Sequence, residues 1–182
     1  MGDGRVLVLG GTDPFLSVLL LENWAKEIVH VEEQPLKSLI EDEDIKLVTP
    51  AEFTELIKTG AYDAEEDKFD AVISVYHHLP SLGMSQRMRV LNPWGDLVEM
   101  ARAWCLTKKG GRALIGLPTA KSDHVLFNKG RIYSEIQLPH LFANWNQVYT
   151  SDKYLMHRNS TEFDNLTDSP DFQHGSIFVL EK

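Results

Sequence analysis

Apolar residues fall along this chain in short runs separated by stretches with helical spacing. Arg5 to Gly10 (RVLVLG), Ile28 to Glu33 (IVHVEE), Ile45 to Val48, Phe69 to Tyr76 (FDAVISVY) and Arg112 to Leu117 (RALIGL) are continuous enough to be strands buried on both faces. Between them, Pro14 to Lys26 and Pro50 to Thr59 predict helices. A longer helix begins at Trp94 or Asp96 and runs to about Lys108, with Gly110-Gly111 as its stop. Pro14 suits a first helical turn, with Asp13 or Thr12 as cap, and Thr49 caps the second helix.

After the fifth strand the pattern changes. VLFNKGRIY places an Asn-Lys-Gly turn between two apolar runs and predicts a small hairpin. Ser134 to Asn144 reads as a short helix interrupted by Pro139. Asn146 to Tyr154 and Ser176 to Glu181 (SIFVLE) are strand-like, and no helical pattern lies between them. Without a crossover helix they pair antiparallel. The expectation is an α/β fold in one domain over residues 1–182, mostly parallel, with a C-terminal antiparallel strand pair.

Composition narrows the partners. A formal net charge of -9 over 182 residues argues against nucleic acid, whose phosphates are bound by Lys and Arg. The single cysteine, Cys105, excludes an intrachain disulfide and a Cys-based zinc cluster, and its place in ARAWCLTKK suggests a buried apolar thiol. No apolar run is long enough to span a membrane, and MGDGRV does not form a signal peptide. The compartment stays open: cytoplasmic for a complete chain, the secretory route if an N-terminal segment is missing. Sequons at Asn159 and Asn165 matter only in the second case.

The first loop carries the most chemistry. In VLVLGGTDPF the dinucleotide spacing GxGxxG would need glycines where Thr12 and Phe15 stand. Asp13 would oppose a pyrophosphate and Pro14 removes an amide donor, while no GxxxxGK[ST] occurs for a P-loop. S-adenosylmethionine has no phosphate and carries a sulfonium and an ammonium, so an acidic first loop is compatible with it. Gly10, Gly11 and Asp13 would then line its methionine end, and Glu32 at the end of the second strand would accept the ribose hydroxyls. The plain alternative is a tight turn that binds nothing.

FDAVISVYHHLPSLG, GGRALIGLP, VLFNKGRIY and IQLPHLFANW together resemble a domain-of-unknown-function family first described in nematodes. It looks like a divergent branch of the class I S-adenosylmethionine-dependent methyltransferases. The resemblance rests on VLVLGG, Val31-Glu32, Thr49-Pro50-Ala51-Glu52, His78 with Leu82-Gly83, Asn92-Pro93 with Gly95-Asp96, and Asn128, Arg131 and Tyr133 of NKGRIY. It implies a Rossmann-like methyltransferase sheet. The chain departs from the family pattern with His77 in place of a glutamate and with Asp13-Pro14.

A doubly wound sheet binds its ligand beyond the carboxyl ends of its strands. That edge should hold Gly10, Gly11, Asp13, Glu32 and Tyr76 around the cofactor. His77 or His78 could act as a base where an acceptor must lose a proton. Both are equally readable as plain loop histidines, and their spacing with His124 and His140 does not suit a metal. Arg131 and Tyr133 alternate around Ile132, so they share a face and could clamp an anionic or hydroxylated substrate. The alternative for Arg131 is an ion pair with an acidic residue. Met84 to Leu91 fits a lid or an ordinary surface helix.

The expected function is S-adenosylmethionine-dependent methyl transfer to a small-molecule or glycan acceptor. A non-catalytic domain of the same fold is the alternative, and loop charge disfavours an NAD(P)-dependent oxidoreductase.

Overall fold

RVLVLG is apolar throughout because it is sandwiched. It forms β1 (Gly4–Leu9), an interior strand of a seven-stranded sheet. Val6 and Val8 join one core cluster with Ile28, Ile45, Leu47 and Ile73, while Leu7 and Leu9 join a second, larger one. Successive strand residues face opposite ways, so one run fills two cores. The structure is a computed structural model, and it describes residues 4–10, 15–33, 42–75, 78–84, 92–126, 130–152, 154 and 175–182.

Beside β1 lie β2 (Ala25–Val31), β3 (Ile45–Val48), β4 (Phe69–Val75) and β5 (Thr107–Pro118), all mutually parallel. The hairpin strands β6 (His124–Leu126) and β7 (Gly130–Ile132) pair separately, and β8 (Asn146–Thr150) and β9 (Gly175–Glu181) complete the main sheet. Its order is β3-β2-β1-β4-β5-β9-β8. The terminal pair is antiparallel as expected, and β9 inserts antiparallel between β5 and β8. The fold is a mostly parallel, Rossmann-like α/β sheet.

Helix α1 (Phe15–Asn23) supplies Val18 and Leu20 to the smaller cluster. The larger cluster receives Phe53 from α2 (Pro50–Lys58), Leu79 from α3 (His78–Ser81), and Met100, Ala103 and Leu106 from α4 (Gly95–Leu106). Leu138 and Leu141 come to it from α5 (Leu138–Leu141). Among the described residues no helix is long and apolar enough to cross a membrane.

Three local expectations are corrected. Helix α4 stops at Leu106 rather than at the Gly110-Gly111 pair, because Thr107 takes an extended backbone (φ -87°, ψ 139°) into β5, its hydroxyl bonding the Ala103 carbonyl at 2.7 Å. Lys108 to Gly111 then form an irregularity in β5, whose pairing with β4 jumps from Thr107 to Arg112. Cys105 is exposed, since the buried face of α4 runs through Met100, Ala103 and Leu106. Pro139 stands in the first turn of α5 and so begins that helix instead of interrupting it. The hairpin forms, although Asn128 and Lys129 of its turn lie outside the described residues, as do Thr12, Asp13 and Pro14 at the proposed cap of α1.

The start of α2 shows how local chemistry fixes an element at the sheet edge. Thr49 Oγ1 accepts from the Glu52 amide at 3.2 Å, and the Glu52 carboxylate accepts from the Thr49 amide at 2.7 Å. This reciprocal capping box satisfies two otherwise orphaned N–H groups. Thr49→Ala should lower stability by about 1 kcal/mol, read as a reduced midpoint in urea with an unchanged slope.

Candidate functional site

The strand order reverses between β1 and β4, and such switch points open a crevice at the carboxyl ends of the strands. Gly10 follows β1 at φ 68°, a left-handed turn, and its amide donates to the Val31 carbonyl at 2.8 Å. The residue just after β2 is Glu32, whose amide donates to the Val48 carbonyl at 2.9 Å. Gly10, Glu32 and Thr49 therefore mark the ends of three neighbouring parallel strands. Nothing among the described residues bonds the Glu32 carboxylate, and partial burial raises its pKa above the ordinary glutamate value.

Across the switch point, α3 begins with His78 packed directly on Gly10. A Cβ added at Gly10 would lie 2.5 Å from His78 Cβ and 2.7 Å from its Nδ1. The glycine is thus required twice, for its backbone turn and for the histidine's approach. His78 Nε2 is buried and has no hydrogen-bond partner among the described residues. Burial, reinforced by repulsion from His30, lowers the His78 pKa to about 4, so the ring is neutral at physiological pH.

His30 was invisible as a site residue in the sequence. It is fully buried on β2, with Nδ1 2.9 Å from Ser17 Oγ and Nε2 3.3 Å from the Gly10 carbonyl. A carbonyl only accepts, so Nε2 carries the proton and the Ser17 hydroxyl donates to Nδ1. Burial lowers the His30 pKa against a smaller opposing effect of the Gly10 carbonyl. One neutral histidine therefore links the end of β1, α1 and β2, while a second covers Gly10 from α3. The signal for His30 was a lone histidine inside IVHVEE, a position where an apolar residue was due.

Arg131 and Tyr133 share a face, as their alternation predicts, but that face turns inward. Both converge on Asp96 at the start of α4: Tyr133 donates to Asp96 Oδ2 at 2.9 Å, and Arg131 Nε lies 3.5 Å from the same oxygen. Arg131 is 7% exposed, and Tyr133 and Asp96 at most 1%. The guanidinium donates to the carbonyls of Leu82 and Pro93 at 2.8 Å and of Pro80 and Asn92 at 3.3 Å. Burial and the Asp96 charge raise the Tyr133 pKa well above its ordinary value, so the phenol stays a donor. The structure shows the ion-pair alternative for Arg131 rather than a substrate clamp: its guanidinium and the Tyr133 hydroxyl are engaged within the protein, while Asp96 Oδ1 is buried with no hydrogen-bond partner among the described residues. Asp96, read from the sequence as a helix start and as part of the Gly95-Asp96 family match, is the anchor whose partners sequence reasoning missed.

Close by, Gly83 has φ 70° and accepts from the Asn92 amide at 3.0 Å, and a Cβ there would overlap the Asn92 carbonyl. The Leu82-Gly83 and Asn92-Pro93 pairs thus meet each other and Arg131. Of the other expected site residues, Gly11, Asp13, Tyr76 and His77 lie outside the described residues, as does most of the Met84 to Leu91 segment.

A mostly parallel seven-stranded sheet with this order and an inserted antiparallel strand defines the class I methyltransferase fold. Among solved structures, the 1,6-didemethyltoxoflavin-N1-methyltransferase of Burkholderia thailandensis is 17% identical with a TM-score of 0.64, over 100% of this chain and 72% of that one. That structure holds 1,6-didemethyltoxoflavin and S-adenosylhomocysteine. An S-adenosylmethionine-dependent methyltransferase of Mesorhizobium loti is 10% identical with a TM-score of 0.60, covering 100% and 92% of the two chains. SMU.776, assigned as a methyltransferase and solved with S-adenosylhomocysteine, gives 11% identity and a TM-score of 0.60 over 100% of this chain but 46% of that one. The chain belongs to the family described as "Caenorhabditis protein of unknown function, DUF268", whose model matches residues 3–182. No curated protein matches it at a significant level.

The buried imidazole of His78 has a consequence for acid stability. Between its ordinary pKa of 6.5 and about 4, the unfolded chain binds a proton that the folded chain refuses. Stability is therefore full above pH 6.5, falls as pH drops, and levels off below about 4. Between pH 7 and pH 5 this group should remove about 2 kcal/mol. Urea unfolding at both pH values should show a loss smaller by about that amount in His78→Asn. Equal losses in the two proteins would show that His78 is not held neutral by the fold.

Proposed function

We propose that this chain is an S-adenosylmethionine-dependent methyltransferase acting on a small-molecule or glycan acceptor. The observation that carries this reading is the placement, at neighbouring strand ends beside the switch point, of Gly10 and a Glu32 carboxylate that has no partner among the described residues. A carboxylate at the end of β2 can accept two hydrogen bonds from a ribose, and the glycine turn allows close approach of a ligand to the backbone. S-adenosylmethionine, when bound, supplies an activated methyl group to an acceptor lone pair.

The chain's own residues position the reactants. Gly10, Gly11 and Asp13 are assigned to the methionine end and Glu32 to the ribose, and Tyr76 is kept as a cofactor-binding candidate. His78 presents a neutral ring, and His77 is the second candidate on the acceptor side. A histidine whose pKa is lowered to about 4 is a weak base. That suits an acceptor nitrogen, which needs no proton removed before it attacks. The Burkholderia neighbour is named as an N1-methyltransferase, which agrees with such an acceptor.

A second reading, a methyltransferase fold kept as a binding module, is favoured by one observation. The family-matching residues Gly83, Asp96, Arg131 and Tyr133 are used internally rather than at the strand ends.

Calorimetry and thermal shift of the purified chain separate these readings. S-adenosylmethionine and S-adenosylhomocysteine should each raise Tm by a few degrees at concentrations well above Kd, and NADH should not. Glu32→Ala should weaken S-adenosylhomocysteine binding by about tenfold or more, as expected for loss of hydrogen bonds to a charged group. A folded sample that responds to neither sulfur ligand would reject the cofactor and leave the binding-module reading.

A further inference from the structure

We propose that Arg131 is a positioning residue, which holds α3 in the place that seats His78 against Gly10 of the candidate cofactor loop. The proposal rests on the reading of that loop as a ligand site only for its functional consequence; the seating itself is a property of the free protein.

Helix α3 is four residues long, too short to hold its position through its own hydrogen bonds. Its first residue packs on Gly10, and Leu79 is buried in the larger core cluster. Its other end runs into the Arg131 guanidinium, which donates to the carbonyls of Pro80 and Leu82. The same guanidinium takes the Asn92 and Pro93 carbonyls, just before α4 begins. Four carbonyls from two separate segments are gathered by one planar cation, a geometry that lysine cannot reproduce. Asp96 and Tyr133 hold the cation in turn. Asp96 lies on α4, and Tyr133 is tied to the end of β5 by backbone bonds of 3.0 Å with Pro118 and Ala120.

The position of α3 is therefore referred to α4 and β5 through one side chain. His78 sits at the far end of α3, close enough to Gly10 to exclude a methyl group. Loss of the guanidinium would free the carbonyl end of α3, admit water around His78 and loosen its packing on Gly10.

The histidine ring resonances of the ligand-free protein, followed by NMR against pH, provide the test. His78→Gln identifies the His78 signal by its disappearance. In the native chain that signal should titrate near 4, and in Arg131→Met it should move toward 6.5 by at least one pH unit. Arg131→Lys, which keeps the charge but not the fork, should show most of the same shift. Thr49→Ala, which removes stability at a distance, should leave the His78 signal in place. An unmoved signal in folded Arg131→Met, or an equal movement in Thr49→Ala, would overturn the proposal. Should Arg131→Met not fold, Tyr133→Phe serves: a shift in the same direction supports the proposal and no shift rejects it. S-adenosylhomocysteine affinity should fall about tenfold in Arg131→Lys. If the native chain does not bind this ligand, the cofactor reading fails, while the NMR result still decides the role of Arg131.

Discussion

The carboxylate of Asp96 is the constraint around which this half of the molecule is arranged. A carboxylate 1% exposed must be compensated, because desolvation of an unpaired charge costs far more than any one contact returns. The compensation arrives from two residues of the same hairpin segment, Arg131 by charge and Tyr133 by a hydrogen bond. Once Arg131 is fixed there, its remaining donors reach outward to the chain on both sides of the Leu82 to Pro93 excursion. Burying one acid therefore orders α3, the start of α4 and the hairpin together. Buried ion pairs are weak evidence for net stability, but breaking one strands the partner charge. Such a network is better suited to fixing one arrangement than to adding free energy.

This arrangement explains why residues scattered over fifty positions form one sequence signature. Leu82-Gly83, Asn92-Pro93, Gly95-Asp96, Arg131 and Tyr133 look like separate motifs in the chain. In the fold they are one contact, with the glycine at 83 admitting the Asn92 carbonyl and the arginine collecting what remains. The polar character that suggested substrate binding is genuine chemistry spent inside the protein.

Much of the fold was legible because strand burial writes itself directly into the sequence. The parallel strands read as continuous apolar runs, and the missing crossover helix before SIFVLE announced the antiparallel ending. Boundaries were lost where tertiary contacts overrule local signals. Two glycines after a helical pattern look like a helix stop, yet Thr107 already turns extended into β5 and the glycines fall within that strand. The direction in which a polar side chain points was not legible at all. Period-2 spacing put Arg131 and Tyr133 on one face, and only the partner helix decides whether that face is crevice or core. His30 failed to register for the complementary reason, as its partners Ser17 and the Gly10 carbonyl come from other segments.

Polar groups left without partners at the strand ends bear on the candidate site. Native interiors pair nearly all their buried polar atoms, so the exceptions call for a reason. Among the described residues, the buried side-chain atoms without a hydrogen-bond partner include His78 Nε2, above Gly10, and Asp96 Oδ1, while the Glu32 carboxylate beside Gly10 is half-buried and makes no bond. Glu32 follows β2 and His78 opens α3 after β4, on either side of the end of β1, where strand order reverses. Both keep unused hydrogen-bonding capacity where desolvation has already moved their pKa values toward the neutral forms. A ligand with hydroxyls for one and a polar atom for the other would recover that cost, whereas a pyrophosphate would add charge beside an acid. The chemistry left over at this edge is that of a sugar and a polar base or amine, which is the argument for an adenosine-containing cofactor without phosphate.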